Sequence, residues 1–226
     1  MKINNFSAGP SKIPQSVINE ISKDILQYNN LGYSVLEVSH RSQVFKDIIS
    51  STKNHLINLL QIPKNFEIIF LQGGATFQNT FISANKPELV DNLTFLLTGT
   101  WGKKTHLDFE KYFKNKILST TFIDESFDEL KNKIDQNNKE YLYMTSNETI
   151  EGVQVRNFNK FHDKQLIIDM SSDICSYSFD WDNISYVYAG AQKNLGIPGV
   201  TICILKKGFI PENDLTSYMN AQNHLE

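Results

Sequence analysis

The sequence predicts an α/β fold with a mostly parallel central sheet flanked by helices. Two observations predict it. Short apolar runs of strand length alternate with helix-like segments along most of the chain, which is the pattern of parallel strands joined by helical crossovers. The composition is also that of an ordinary globular domain: of 226 residues, 40% are hydrophobic and 21% charged, enough chain to bury a sizeable core.

The elements follow in order. Residues 1–14 read as an extended arm and residues 15–226 as one large domain. Pro14 opens an amphipathic helix, because Val17, Ile18, Ile21, Ile25 and Leu26 recur at helical spacing and Gly32 follows as a breaker. Val44, Phe45, Ile48, Ile49, Leu56, Leu59 and Leu60 repeat that spacing, giving a second helix that ends near Ile62-Pro63. The period then changes. Strands are expected at Glu67 to Leu71, Leu93 to Thr98, Tyr141 to Thr145, Gln165 to Asp169, Tyr186 to Ala189 and Val200 to Leu205, with a helix beginning near Phe77. Asn and Lys collect in loops near 114–117 and 131–139.

Charge and composition exclude several classes of function. A net charge of −3, from 22 basic and 25 acidic residues, leaves no basic stripe for a nucleic-acid backbone. Residues Met1 to Pro10 lack a signal-peptide core and no apolar run approaches a membrane span, so a cytoplasmic location without membrane contact is expected. Cys175 and Cys203 are too isolated for a disulfide framework, and both are expected to be reduced. His55, His106, His162 and His224 show no ligand spacing, so no metal site is expected.

Open α/β sheets bind ligands at the carboxyl ends of their strands, and the chemically informative residues gather there. In Ala189-Gly190-Ala191-Gln192-Lys193-Asn194, Lys193 lies in a turn of small residues at the end of an apolar strand. Such a lysine reads as a Schiff-base former. Asp169 closes the preceding strand. An amine and an acid at neighbouring strand ends suit pyridoxal 5′-phosphate, which needs the amine at its aldehyde carbon and the acid at its ring nitrogen. Taken singly, Asp169 also reads as a cap or turn residue and Lys193 as a surface lysine.

Other strand ends add to the set. Gln72-Gly73-Gly74-Ala75-Thr76 precedes a helix, where backbone amides and the helix dipole favour an anion, although a plain tight turn is the alternative. Trp101, in Thr98-Gly99-Thr100-Trp101-Gly102, has small neighbours that leave its indole free to stack on a ring; a space-filling role is the alternative. Thr145-Ser146-Asn147-Glu148-Thr149-Ile150-Glu151-Gly152 brings hydroxyls to a strand end, either for a ring oxygen or for capping. His40-Arg41, before the second helix, offers a guanidinium to an acidic substrate group, or an exposed helix start.

Together these pieces resemble the phosphoserine aminotransferases, pyridoxal-phosphate enzymes of the class V aminotransferase group. Phe6-Ser7-Ala8-Gly9-Pro10, Glu37-Val38-Ser39-His40-Arg41-Ser42, Leu71-Gln72-Gly73-Gly74-Ala75, Thr98-Gly99-Thr100-Trp101, Thr145 to Ile150, Asp169-Met170-Ser171-Ser172 and Ala189 to Asn194 follow the family's order. The resemblance implies an aminotransferase-type large domain in which Lys193 holds the cofactor and acts as catalytic base, and Asp169 pairs with the ring nitrogen. It further implies that Trp101 stacks on the ring, Thr149 meets the ring hydroxyl oxygen, and Ala75, Thr76 and Gln192 hold the 5′-phosphate. Arg41 with His40 would bind the substrate's acidic groups.

The activity implied is amino transfer from L-glutamate to 3-phosphohydroxypyruvate, giving O-phospho-L-serine and 2-oxoglutarate in serine biosynthesis, with a related step in pyridoxine synthesis in some bacteria. A homodimer is also implied. Thr76 stands where some relatives carry arginine, and family members continue past the equivalent of residue 226 into a smaller C-terminal domain that this chain lacks. The alternatives are a shortened, catalytically impaired cofactor-binding domain or another class V enzyme.

Overall fold

The computed structural model describes residues 3–114, 118–121, 132, 134 and 138–225. The chain divides into two compact units, Met1–Ile62 and Pro63–Glu226. The expected boundary after the arm, at residue 14, lies inside the first unit. The Asn- and Lys-rich loops near 114–117 and 131–139 lie largely outside the described residues.

The first unit is built from two helices. Helix α1 (Gln15–Leu26) starts directly after Pro14, whose fixed φ suits a helix entry. Asn29, Asn30 and Gly32 then take positive φ, so the chain reverses in a turn closed by the Tyr28 N–H donating to the Tyr33 carbonyl. A single 3-10 turn (Val35–Glu37) carries a reciprocal capping box between Ser34 and Glu37. Ser42 caps helix α2 (Gln43–Leu60), its hydroxyl accepting from the Phe45 N–H, and Gln61 ends that helix in the left-handed conformation before Pro63.

The second unit holds a seven-stranded sheet formed by β1 (Phe66–Gln72), β2 (Leu93–Leu97), β3 (Leu118–Thr121), β4 (Tyr141–Thr145), β7 (Gln165–Asp169), β8 (Ile184–Gly190) and β9 (Val200–Lys206), in the order β1-β9-β8-β7-β4-β2-β3. Two-residue strands β5 (Asn147–Glu148) and β6 (Val153–Gln154) pair separately. Strands β8, β7, β4, β2 and β3 run parallel, whereas β9 is antiparallel to both of its neighbours. Every residue of β2, β4 and β8 is buried, as strands covered on both faces require.

Helices α3 (Phe77–Asn85) and α5 (Thr100–Phe113) pack together and cover one side, with the short α4 (Leu89–Asn92) between them in sequence. The core joins Phe81 of α3 and Phe109 of α5 to Phe95, Tyr143, Ile167, Tyr186 and Cys203 of the sheet. Among the described residues no helix is long and apolar enough to cross a membrane.

The topology decides where a site forms. Because β9 reverses direction against both β8 and β1, β1 points the same way as β8, β7, β4 and β2. All five therefore deliver their carboxyl ends to one edge of the sheet. Residues 73–76, 191–194, 169, 146–149 and 98–101 emerge there side by side, drawn from sequence positions far apart.

Candidate active site

The paired ends of β7 and β8 form the centre of this edge. Asp169 stands opposite Tyr188 in the parallel register, and the Met170 N–H donates to the Tyr188 carbonyl just beyond. The chain then turns at Ser171, whose N–H donates to Asp169 Oδ1 at 2.8 Å. Asp169 keeps some open surface, yet protein crowds its carboxyl closely enough that desolvation pushes its pKa above the ordinary carboxylate value. Hydrogen bonding from Ser171 and the positive charge of Lys193 oppose that rise. A crowded acid with so little compensation is suited to a cationic N–H partner.

Lys193 follows β8 in a compact turn. The Leu195 and Gly196 N–H groups both donate to the Ala191 carbonyl, and the Ala191 N–H donates to the Val200 carbonyl at 2.9 Å. Asn194 fastens this turn to the segment after β7 by donating through Nδ2 to the Ile174 carbonyl. The Gly190 N–H donates to the Ser171 hydroxyl at 3.2 Å. The Asn194 and Gly190 bonds tie the lysine's turn to the segment that follows Asp169, and the Ala191 bond ties it to β9.

Trp101 provides the third part. The Lys193 ammonium lies 5.5 Å from the centroid of the Trp101 ring, within cation–π range, and Lys104 lies 5.8 Å from the same ring. Trp101 is 37% exposed, so an indole face remains available. Close after the end of β2, it is the second residue of α5. Its indole Nε1–H donates to Thr149 Oγ1 at 3.1 Å.

The remaining members from the second unit lie on the same edge. At the end of β1 the Gly73 N–H donates to the Gly199 carbonyl and the Thr201 hydroxyl donates to the Gly73 carbonyl, which anchors the turn to β9. Gly73 has φ +93°, a conformation that favours glycine, and open space surrounds both Gly73 and Gly74. The Phe77, Gln78 and Asn79 N–H groups donate to the carbonyls of Gly74, Ala75 and Thr76, so the positive end of the α3 dipole is directed at residues 74–76. Gln192 Oε1 is buried without a hydrogen-bond partner. His40 and Arg41 are exposed in the first unit, in the turn that leads to the Ser42 cap of α2, where the Arg41 N–H donates to Ser39 Oγ.

Two carboxylates that the sequence pattern did not single out complete the edge. Glu148 is fully buried, and its Oε2 and Oε1 accept the N–H groups of Trp101 at 2.9 Å and Gly102 at 2.7 Å. Glu151 accepts the Thr100 N–H at 2.9 Å and the Thr100 hydroxyl at 2.5 Å. Burial pushes the Glu148 pKa above the ordinary carboxylate value, against the lowering effect of its two N–H partners. Behind Asp169, the Tyr143 and Tyr188 hydroxyls meet at 3.0 Å and the Tyr143 hydroxyl donates to Thr105 Oγ1.

An amine, a crowded acid, an open indole face, a threonine hydroxyl and an electropositive turn are the donor set that an anionic, aldehyde-bearing pyridine requires, and the residues present fit that group. Comparison with known proteins points the same way. Residues 3–219 match the family described as aminotransferase class-V. The phosphoserine aminotransferase of Bacillus cereus is 37% identical over 215 residues, covering 94% of this chain and 60% of the relative. That of Streptococcus suis is 38% identical over 227 residues, covering 97% and 62%. The pyridoxal-phosphate-bound phosphoserine aminotransferase structure from Trichomonas vaginalis superposes with a TM-score of 0.86 at 30% identity, covering 97% of this chain and 66% of that one. The chain thus spans about three fifths of the length of the curated relatives it matches.

Proposed function

The chain belongs to the class V aminotransferase family, and from that premise we propose that it forms the pyridoxal-5′-phosphate-binding domain of a phosphoserine aminotransferase. The reaction proposed is amino transfer from L-glutamate to 3-phosphohydroxypyruvate, giving O-phospho-L-serine and 2-oxoglutarate, in a homodimer. One observation supports the reading: the Lys193 ammonium lies 5.5 Å from the centroid of the Trp101 ring, and its turn is hydrogen-bonded to the one that follows Asp169.

When bound, pyridoxal phosphate supplies an electron sink that makes an amino acid's α-proton acidic. The chain's own residues do the rest. Lys193 Nζ would hold the cofactor at its aldehyde carbon and, as a free amine, would serve as the general base for the proton of the substrate's α-carbon. Asp169 holds a proton at the ring nitrogen, and the same pairing relieves its crowded carboxyl. Trp101 covers one face of the ring and excludes water. Thr149 Oγ1 already accepts the indole N–H, so its own O–H is left to donate and would do so to a ring oxygen. Ala75 and Thr76, at the start of α3, and the amide of Gln192 hold the phosphate, while Arg41 and His40 bind the substrate's acidic groups.

Purified protein supplied with pyridoxal phosphate is expected to turn yellow, to lose that colour in Lys193→Ala, and to change spectrum on adding L-glutamate. Borohydride should attach the cofactor to Lys193. A wild-type chain that binds no pyridoxal phosphate, or that is labelled on a different lysine, would refute the reading.

A further inference from the structure

We propose that Glu148 and Glu151 form a carboxylate clamp that positions the Trp101 indole for the ring site. The inference rests on the function proposed above and extends its machinery to two residues that touch neither ring nor substrate.

Helix α5 begins at Gly99 without any side-chain cap of its own. Its first three N–H groups are instead taken by two acids from the segment after β4, Glu148 of β5 and Glu151 beyond it: Thr100 by Glu151, Trp101 and Gly102 by Glu148. Both oxygens of Glu148 are used, so the carboxylate fixes the rotation of the helix start as well as its distance. Among the described residues no ion pair to Glu148 is found, and the acids nearest to it in effect are Glu151 and Asp169. The helix N-terminus and its N–H groups are therefore what balance this buried charge.

The geometry has a direct bearing on the indole. Thr149, next to Glu148 in the chain, accepts the indole Nε1–H, so Trp101 is held at its backbone by residue 148 and at its ring by residue 149. Two adjacent residues thus grip both ends of one side chain. Gly99 leaves the space this grip needs, since a Cβ there would lie 2.7 Å from Cγ and Cδ of Glu148. A buried acid is an expensive way to cap a helix, where serine or asparagine would serve. Its bidentate grip, reached across the sheet edge, ties α5 to the strand end that carries Thr149.

The test uses Glu148→Gln and the exposed, milder Glu151→Gln. A glutamine at 148 keeps one acceptor but faces the second N–H with its own NH2 group, so the helix start shifts. In cofactor-free protein carrying Trp181→Phe, which leaves Trp101 as the only tryptophan, both variants should raise acrylamide quenching of Trp101 fluorescence. In the 226-residue chain, Glu148→Gln should weaken pyridoxal 5′-phosphate binding roughly 10-fold or more, with a smaller loss for Glu151→Gln. In a Trp101→Ala background the same changes should weaken binding no further, because they act through the indole. Unchanged quenching, or losses that simply add to that of Trp101→Ala, would overturn the clamp. If Glu148→Gln does not fold, Glu151→Gln decides on the same readouts. Failure of the cofactor reading is separate: it appears as a wild-type chain that binds no pyridoxal phosphate, while the quenching comparison still judges the clamp.

Discussion

Replacing Gly99 by alanine puts the packing at this edge to a direct test. The added Cβ would lie 2.7 Å from Cγ and from Cδ of Glu148, and it would also meet Glu151 Oε2. Glu151 is exposed and its carboxylate can swing away, whereas Glu148 is fully buried and held by two N–H groups. Two responses are open to it. If the carboxylate stays, the strain of overpacking is about 1–3 kcal/mol. If it moves, two hydrogen bonds to a charged group are lost at about 1.5–3 kcal/mol each, so the first response wins. The restricted unfolded chain of alanine returns about 0.4–1 kcal/mol, because the extended backbone at residue 99 suits any residue. Midpoints of about 2 and about 0.7 kcal/mol leave a net loss of about 1.3 kcal/mol, which lowers the Tm by roughly 3–5 °C in a unit of this size. The assay is thermal unfolding of the cofactor-free protein followed by circular dichroism, with Gly196→Ala as the control. A Cβ at Gly196 meets nothing within 4 Å and its φ lies outside the left-handed region, so with no clash to oppose the same gain its Tm should rise by roughly 1–4 °C. An unchanged or raised Tm for Gly99→Ala would refute the reasoning, since it would show that Glu148 gives way freely.

Asp169→Asn should weaken pyridoxal-phosphate binding at least 10-fold, as measured by equilibrium absorbance titration, yet raise the Tm of the cofactor-free protein at neutral pH, because the crowded charge is removed while the Ser171 N–H keeps an oxygen acceptor. A lower Tm would count against that account. Trp101→Phe keeps an aromatic face but removes the donor to Thr149, so its cofactor affinity should lie between wild type and Trp101→Ala, with a loss of about 1 kcal/mol in the same titration. Equal losses in the two variants would show that the indole N–H, rather than the ring face, carries the contact.

Residues whose neighbours in sequence set their structure were legible before any coordinates. Strands β4 and β7 begin and end where their apolar runs do, and Asp169 stands at a strand end for that reason. Helices α1 and α2 follow their apolar spacing and the breakers Pro14, Gly32 and Pro63. The antiparallel placing of β9 was not legible, since its apolar run fits either direction and only the register against Cys203 and its neighbours decides. Nor was the role of Glu148 and Glu151. An acid capping a helix normally precedes it by a few residues, whereas these reach α5 from 46 to 51 positions further along the chain. The Tyr143–Tyr188 hydroxyl pair is hidden for the same reason, as each tyrosine alone reads as strand filling.

The two raised acids at this edge carry a thermodynamic consequence. For Asp169 and Glu148 the folded-state pKa lies above the unfolded value, so each favours the folded state most below the ordinary carboxylate range, and that stability is lost as pH rises through the raised values. Glu151, lowered by its bonds to Thr100, acts in the opposite sense and loses its contribution as pH falls. A domain evolved only to fold would neutralise Asp169 and Glu148. Their retention places charge where a pyridinium N–H and a helix N-terminus need it, and of the two it is Asp169 that a bound pyridinium would relieve. Ligand binding then stabilises the domain by supplying the missing counter-charge, and the gain should be largest above the raised Asp169 value and shrink as Asp169 becomes protonated.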